Sequence, residues 1–250
     1  MWYTLCMEKK RYAVLDGIRG LALVNMVVYH TIWDLVYIFG CDWGWYESFG
    51  AYIWQQCICW TFIGLSGFCL GFGGRGLRRG LTVFAAGALV SAVTLIFMPA
   101  DRILFGVLTL IGSAMIIVWL LRDVLGRVNA WCGAAASFIL FLFTKDAASG
   151  WLGFFGAELA ALPDFLYANL FTAYLGFPAS GFYSADYFPL IPWIFLFTCG
   201  FFLNRALRTT GVMDRCVTGH CRPLEWLGRH SLIIYMLHQP VIYAVLCIIM

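Results

Sequence analysis

Four ionisable side chains share one long apolar stretch near the start of the sequence. Asp16, Arg19, His30 and Asp34 all fall within residues 12–39, among leucines, isoleucines, valines, alanines and aromatics. A helix turns 100° per residue. With Arg19 set at 0°, His30 falls at about 20°, and Asp16 and Asp34 both fall at about 60°. All four would then lie on one narrow stripe. An ionisable group inside a bilayer is costly and marks a pathway or a site. His30 and Asp34 are one turn apart, so the carboxylate can orient the imidazole and stabilise its charged form. An imidazole whose tautomer is fixed by a partner is what general-base chemistry requires. The plainer reading is a polar pair tying the first helix to a neighbour. Arg19 on the same face shifts the balance toward chemistry, although Asp16 is also placed to neutralise it. Arg19 and His30 are separated by about 16 Å of helix, which suits an axial path better than one compact site.

A second group follows the next apolar stretch. Residues 71–79 read GFGGRGLRR, with Arg75, Arg78 and Arg79 beside four glycines. Glycines let backbone N–H groups approach an anion, and the arginines supply charge, so a phosphate-bearing ligand would suit this turn. An ordinary basic turn beside a membrane has the same composition. No strand precedes the glycines, so this is not a dinucleotide fingerprint.

The last apolar stretch places Ser231, Tyr235 and His238 at helical spacing, just before Pro240. His238 is either a partner in a central cavity or a packing histidine. Asp186 and Tyr187 stand at the mouth of the sixth stretch, where an acceptor molecule could be held. Cys216, His220 and Cys221 offer three metal-ligand types with no fourth, and no metal site is read from them.

These residues need elements to position them. Of the 250 residues, 62% are hydrophobic and only 12% charged. A soluble domain carries about 25% charge, so a polytopic membrane protein is expected. The fold class is all-α, a membrane helix bundle in a single domain over residues 1–250. Spans are expected at 12–39, 52–72, 81–98, 104–121, 130–144, 187–203 and 231–249. The segment 150–184 is apolar but broken by Glu158, Pro163 and Asp164. It reads as two short helices lying at, or dipping into, the outer face as a cap over a cavity. Recurrent Gly, Ala and Ser, including Gly64, Ser66 and Gly67, suit close helix packing in lipid. No internal repeat suggests a transporter-type inverted pair.

Charge sets the expected orientation. With the N-terminus in the cytoplasm, Lys9, Lys10, Arg11, the 71–79 arginines, Arg122, Arg127 and the five arginines between residues 205 and 229 all lie inside. That is 13 of the 16 basic residues, as the positive-inside rule requires of a multi-pass cell-membrane protein. The net charge of +3 has no basic–aromatic interleaving, so nucleic acid is not an expected partner. The ten cysteines lie mostly in apolar segments and read as buried, reduced thiols.

Several motifs together resemble a known family. LDGIRG at residues 15–20, with Arg19 and His30 separated by ten residues, resembles the opening of integral-membrane acyltransferases. FIGLSGF at 62–68, followed by a basic turn, looks like their second span. FGVLTLIG at 105–112, DYFPLIPW at 186–193 and SLIIYMLHQP at 231–240 resemble heparan-α-glucosaminide N-acetyltransferase-type proteins, the small bacterial ones included. The resemblance implies acyl transfer across the membrane, from cytoplasmic acetyl-CoA as co-substrate to a sugar hydroxyl or amine outside. It implies that His30 is the base, oriented by Asp34, with Arg19 a positioning or neutralising residue. Arg75, Arg78, Arg79 and Ser66 would bind the CoA, and Asp186, Tyr187, Tyr235 and His238 the acceptor. The lysosomal members place their histidine further along, so His30 as base rests on the broader membrane-acyltransferase pattern. Without a large extramembrane domain the acceptor is expected to be glycan-like and not heparan sulfate itself. A homo-oligomer is compatible with the resemblance. The rival readings are a proton-coupled permease using Asp16, Arg19, His30 and Asp34 as a relay, and a non-catalytic scaffold that tolerates changes at His30 and Arg19.

Overall fold

The computed structural model describes residues 12–154, 156–215, 217 and 221–250. Lys9, Lys10, Arg11, Cys216 and His220 lie outside the described residues. The helices, in chain order, are α1 (Ala13–Trp33), α2 (Phe49–Leu70), α3 (Gly76–Phe97), α4 (Val107–Leu120), α5 (Arg122–Leu125), α6 (Ala130–Phe143), α7 (Leu170–Leu175), α8 (Leu190–Arg208), α9 (Val212–Arg215), α10 (Arg222–Arg229) and α11 (Ser231–Ile249). Two strands, β1 (Trp151–Phe154) and β2 (Ala157–Ala161), form one antiparallel hairpin. Among the described residues six helical segments are long and apolar enough to cross a membrane, one of them, Ala130–Ser149, being α6 extended by a 3-10 turn, and α4 is a shorter apolar helix. The expected all-α membrane architecture is present.

Boundaries differ from expectation where packing decides them. The third span begins at Gly76, five residues earlier than expected, so Arg78 and Arg79 belong to the first turn of α3 and not to the preceding turn. Gly76 is buried, and a Cβ there would meet the Trp119 ring at 2.4 Å, so this glycine seats the helix start on α4. The first span ends in a π-helical turn, Asp34–Ile38. α4 has 14 residues, about 21 Å of helix, too short to cross a bilayer alone. Its residues from Val107 to Met115 are all buried, and protein-enclosed backbone tolerates that shortness.

Segment 150–184 is only partly as expected. The short helices are a 3-10 turn at Asp164–Leu166 and α7, and the hairpin precedes them. Gly150, with φ of 102°, ends the 3-10 turn before β1, Gly156, with φ of 89°, lies in the reversal between the strands, and Gly153 accepts the backbone of Ala157 where a Cβ would lie 1.8 Å from its carbonyl oxygen. Neither strand is legible from apolar periodicity.

The chain divides into two compact units: the chain up to Ile58 with Leu207–Met250, and Cys59–Ala206. In the first unit, α10 lies against the start of α1 through two glycines. A Cβ on Gly20 would stand 1.9 Å from the Leu224 carbonyl oxygen, and one on Gly228 would stand 1.9 Å from that of Asp16. Backbones can approach this closely only where no side chain intervenes.

The second unit is built on two such approaches. Gly67 faces the Phe197 carbonyl and Gly200 faces the Gly64 carbonyl, which locks α2 to α8. Gly87 faces Thr109 and Gly112 faces Phe84, which locks α3 to α4. Phe141 and Phe197 are fully buried, with Trp60 and Trp193 packed edgewise and tilted against Phe141.

Candidate functional site

His30 lies near the end of α1, and His238 lies in α11 one residue before Gln239. Their rings stand 4.9 Å apart, tilted by 59°. The α-helical period of α1 turns His30 toward α11, and the π-helical turn that follows carries Asp34 to the same neighbour. Asp34 is fully buried. Its Oδ1 accepts a 2.6 Å hydrogen bond from the Gln239 side-chain amide. The carboxylate expected to orient His30 is therefore engaged by Gln239 instead. The i,i+4 spacing permits a His30–Asp34 bond, but α11 offers Asp34 a better-placed donor.

His238 is oriented by its own helix. Its Nδ1 lies 2.5 Å from the Tyr235 carbonyl oxygen, which can only accept. Nδ1 therefore carries the hydrogen, and Nε2 presents a lone pair. That Nε2 is buried and has no hydrogen-bond partner, as are Asp34 Oδ2 and Gln239 Oε1. Tyr235 packs its ring 5.2 Å from His238. On the other side of His30, the Tyr29 ring meets it edge-on. Tyr46 donates its hydroxyl to the Tyr29 carbonyl oxygen at 3.3 Å. Burial pushes the Tyr46 phenol far above its ordinary value, so it remains a donor. Asn25 accepts from the Trp54 indole at 2.9 Å, a second polar tie on α1.

Arg19 is engaged at the other end of the stripe. Asp16 Oδ1 lies 3.2 Å from Arg19 Nη1, and Asp16 Oδ2 lies 3.8 Å from Arg229 Nε. Arg229 also meets Glu225 at 3.3 Å. Asp16 is thus shared between two arginines where α10 crosses α1. The sequence stripe therefore resolves into an ion-pair junction around Arg19 and a neutral-partner cluster around His30.

The remaining candidates belong to the second unit. Arg75, Arg78 and Arg79 are exposed around the first turn of α3, the end at which a helix dipole already favours anions. Cations there weaken the helix slightly and strengthen the attraction for a phosphate. Ser66 is half-buried on α2, beside Gly67. Asp186 Oδ2 accepts from the Val107 backbone N–H at 3.3 Å, at the start of α4. Tyr187 donates its hydroxyl to the Ala173 carbonyl oxygen at 2.5 Å. Burial raises the Tyr187 phenol, so it too remains a donor. Asp186 and Tyr187 thus tie the segment before α8 to the start of α4 and to α7, with the polar atoms that were expected to face an acceptor. Gln239 was quoted within the last motif without a role. The signal that could have found it is an uncharged amide next to an intramembrane histidine.

Among the described residues, six helical segments long and apolar enough to cross a membrane define a polytopic membrane protein, and polar atoms of Asp34, His238 and Gln239 are buried where α11 meets the end of the first span. The model of the catalytic region of heparan-alpha-glucosaminide N-acetyltransferase matches residues 11–240, and the chain belongs to that family of membrane acetyltransferases. It is accordingly an enzyme of the transferase class. No curated protein and no solved structure matches the chain significantly.

Proposed function

We propose that the protein transfers an acetyl group from acetyl-CoA on the cytoplasmic side to a sugar amine or hydroxyl on the outer side of the cell membrane, with the N-terminus inside. The observation that carries this reading is the His30–His238 ring contact at 4.9 Å, between two helices long and apolar enough to span a membrane. The charge asymmetry of the sequence supports the orientation.

His30 takes the proton from the acceptor as it attacks the acetyl carbonyl, and His238 stands beside it with its tautomer held by the Tyr235 carbonyl. The Arg19–His30 face of α1 offers about 16 Å along which a thin pantetheine arm can lie. Arg75, Arg78 and Arg79, with Ser66 on the preceding helix, serve the phosphate-bearing end. They fit it chemically, since all three cations are exposed at a helix N-terminus. The bond that forms is acetyl carbon to acceptor oxygen or nitrogen. The bond that breaks is the thioester C–S, and the thiolate leaves with a proton.

The permease reading has less support, since the family is one of acetyltransferases. The test is direct. Purified protein is given radiolabelled acetyl-CoA and a sugar acceptor, and wild type is compared with His30→Ala. Saturable CoA binding, with label transfer lost in the variant, supports the proposal. Absence of CoA binding at millimolar concentration ends it.

A further inference from the structure

A cavity of about 360 Å³ lies within the unit Cys59–Ala206, where the chain leaves α3 and meets the segment before α8. Arg102, Asn169, Leu170, Ser180, Phe182 and Tyr183 are among the residues that line it. Its polar chemistry is one-sided. Arg102 lays its guanidinium over the Tyr183 ring, 5.6 Å from the centroid, and donates from Nη1 to the Pro99 carbonyl oxygen at 3.3 Å. Among the described residues no carboxylate pairs with Arg102, and none lines the cavity. The Asn169 side-chain oxygen already accepts from the Phe171 and Thr172 N–H groups at 2.9 and 3.1 Å, so its amide N–H groups are what it has left to offer. Ser180 adds a hydroxyl, on a turn closed by the Phe182 N–H donating to the Ala179 carbonyl oxygen at 3.0 Å, with Gly181 at φ of 78°. A guanidinium, an amide nitrogen and a hydroxyl, with no acid to balance the charge, suit an anion that brings acceptor oxygens.

The wall that carries Arg102 is held in place. The Leu104 N–H donates to the Ser184 hydroxyl oxygen at 2.9 Å, and that hydroxyl donates to the Leu104 carbonyl oxygen at 2.8 Å. The Ala185 N–H donates to the Arg102 carbonyl oxygen at 3.0 Å. Phe105, a non-glycine residue at φ of 56°, stacks its ring on Phe182. Depth is set as well. The Ile103 N–H donates to the Thr94 hydroxyl oxygen at 3.0 Å, which folds the chain around Arg102 back beside the last turn of α3. That is the end of α3 away from Arg75, Arg78 and Arg79. Ile96 and Phe97 there are 72% and 75% exposed, and Leu170 and Phe171 of α7 are 60% and 67% exposed. A cation set among exposed apolar side chains at the end of a span is placed for a lipid headgroup, with the apolar groups against its chains.

We propose that this cavity binds the phosphate of an anionic phospholipid, and that phosphatidylglycerol is the headgroup it fits. The phosphodiester brings a negative charge for Arg102 and acceptor oxygens for the Asn169 and Ser180 donors. The glycerol is uncharged. An ethanolamine or choline headgroup would add a cation with no carboxylate to meet it. The aromatic faces do not supply the want, since Tyr183 already lies under Arg102 and Phe182 is stacked on Phe105. The lipid site is independent of the acetyl-transfer reading and needs only a chain that spans a membrane.

The test uses the full-length protein in detergent, titrated with dioleoylphosphatidylglycerol, with dioleoylphosphatidylcholine and with soluble glycerol phosphate, and reads retained ligand by native mass spectrometry. Wild type should retain phosphatidylglycerol in preference to phosphatidylcholine, and glycerol phosphate should not displace it. Arg102→Gln should weaken phosphatidylglycerol binding by about 10-fold, the low end for losing a charge-assisted hydrogen bond, and should erase the preference. Arg127→Gln, at an exposed arginine outside the cavity, should leave both unchanged. A second arm does not depend on any variant folding. Wild type is photo-crosslinked to a diazirine-bearing phosphatidylglycerol, and the labelled peptides should fall within residues 94–104 or 169–184. Equal retention of the two lipids, wild-type affinity in Arg102→Gln, or label confined to other segments would each overturn the site. Displacement of the lipid by millimolar glycerol phosphate would make the occupant a soluble phosphate and overturn its assignment as a lipid.

Discussion

The Gln239 amide donates to the Asp34 carboxylate across 2.6 Å, joining two residues 205 positions apart in the chain. Asp34 is fully buried, so this bond does more than link two helices. It gives a membrane-buried carboxylate its one hydrogen-bonded partner among the described residues. Removing either side should be costly, because an unmet buried polar group retains its desolvation penalty. Gln239→Ala should destabilise by about 1–3 kcal/mol, and more if Asp34 keeps its charge. A double-mutant cycle with Asp34→Ala should show a coupling of about 0.5–3 kcal/mol by thermal unfolding in detergent. Additive losses would mean the pair does not interact in solution.

His30 and His238 should not be equivalent. General-base catalysis contributes roughly 10²- to 10⁴-fold, so His30→Ala should lower kcat for acetyl transfer within that range. His238→Ala should cost less if it supports His30, and more if its Nε2 lone pair is the actual base. Single-turnover rates with saturating acetyl-CoA separate the two outcomes.

Asp16 stands between Arg19 and Arg229, at 3.2 and 3.8 Å. All three side chains are partly exposed, so each pair should be worth only about 0.2–1 kcal/mol and should weaken with salt. Asp16→Asn is therefore expected to destabilise modestly at low ionic strength and negligibly at high ionic strength. A loss that persists in high salt would point to a role beyond charge pairing.

Gly20 and Gly228 set how closely α10 approaches α1. A side chain at either would meet backbone, which cannot rotate away. Gly20→Ala and Gly228→Ala should each cost about 1–3 kcal/mol by overpacking. Gly17, which has open space around its Cα, should tolerate alanine and serves as the control.

The basic turn makes a separate prediction for the donor. Arg78→Gln and Arg79→Gln should weaken CoA binding, and the difference from wild type should shrink as salt rises. Affinity for the dephosphorylated pantetheine arm should not change. Equal losses for both ligands would move the phosphate contact elsewhere.

Much of the fold was legible in the sequence, because membrane insertion is governed by local quantities. Apolar length decides a span, and a helix of roughly 20 such residues satisfies its own backbone. Among the described residues, six of the seven expected spans appear as helical segments long enough to cross a membrane, the one at Ala130–Ser149 only by adding the 3-10 turn to α6, and the expected span at 104–121 appears as the shorter α4. The hairpin at Trp151–Phe154 and Ala157–Ala161 was not legible. Its strands are too short for a period to show, and their pairing is irregular at Gly153, whose missing side chain leaves room for the Ala157 carbonyl.

The candidate site divides along the same line. Composition and the 100° period alone put Asp16, Arg19, His30 and Asp34 on one face of one helix, because helical geometry is local and repeats. They also fixed that those groups were anomalous, because lipid solvates none of them. Which partner each would find was decided only when helices met. The spacing allowed Asp34 to serve His30, yet the turn of α1 and the seating of α11 gave it to Gln239. Arg19 did take the partner its own helix offered, Asp16, but only the seating of α10 brought Arg229 to the other oxygen of that carboxylate. A hydrogen bond between distant residues depends on which faces pack together, and that is a property of the assembled helices.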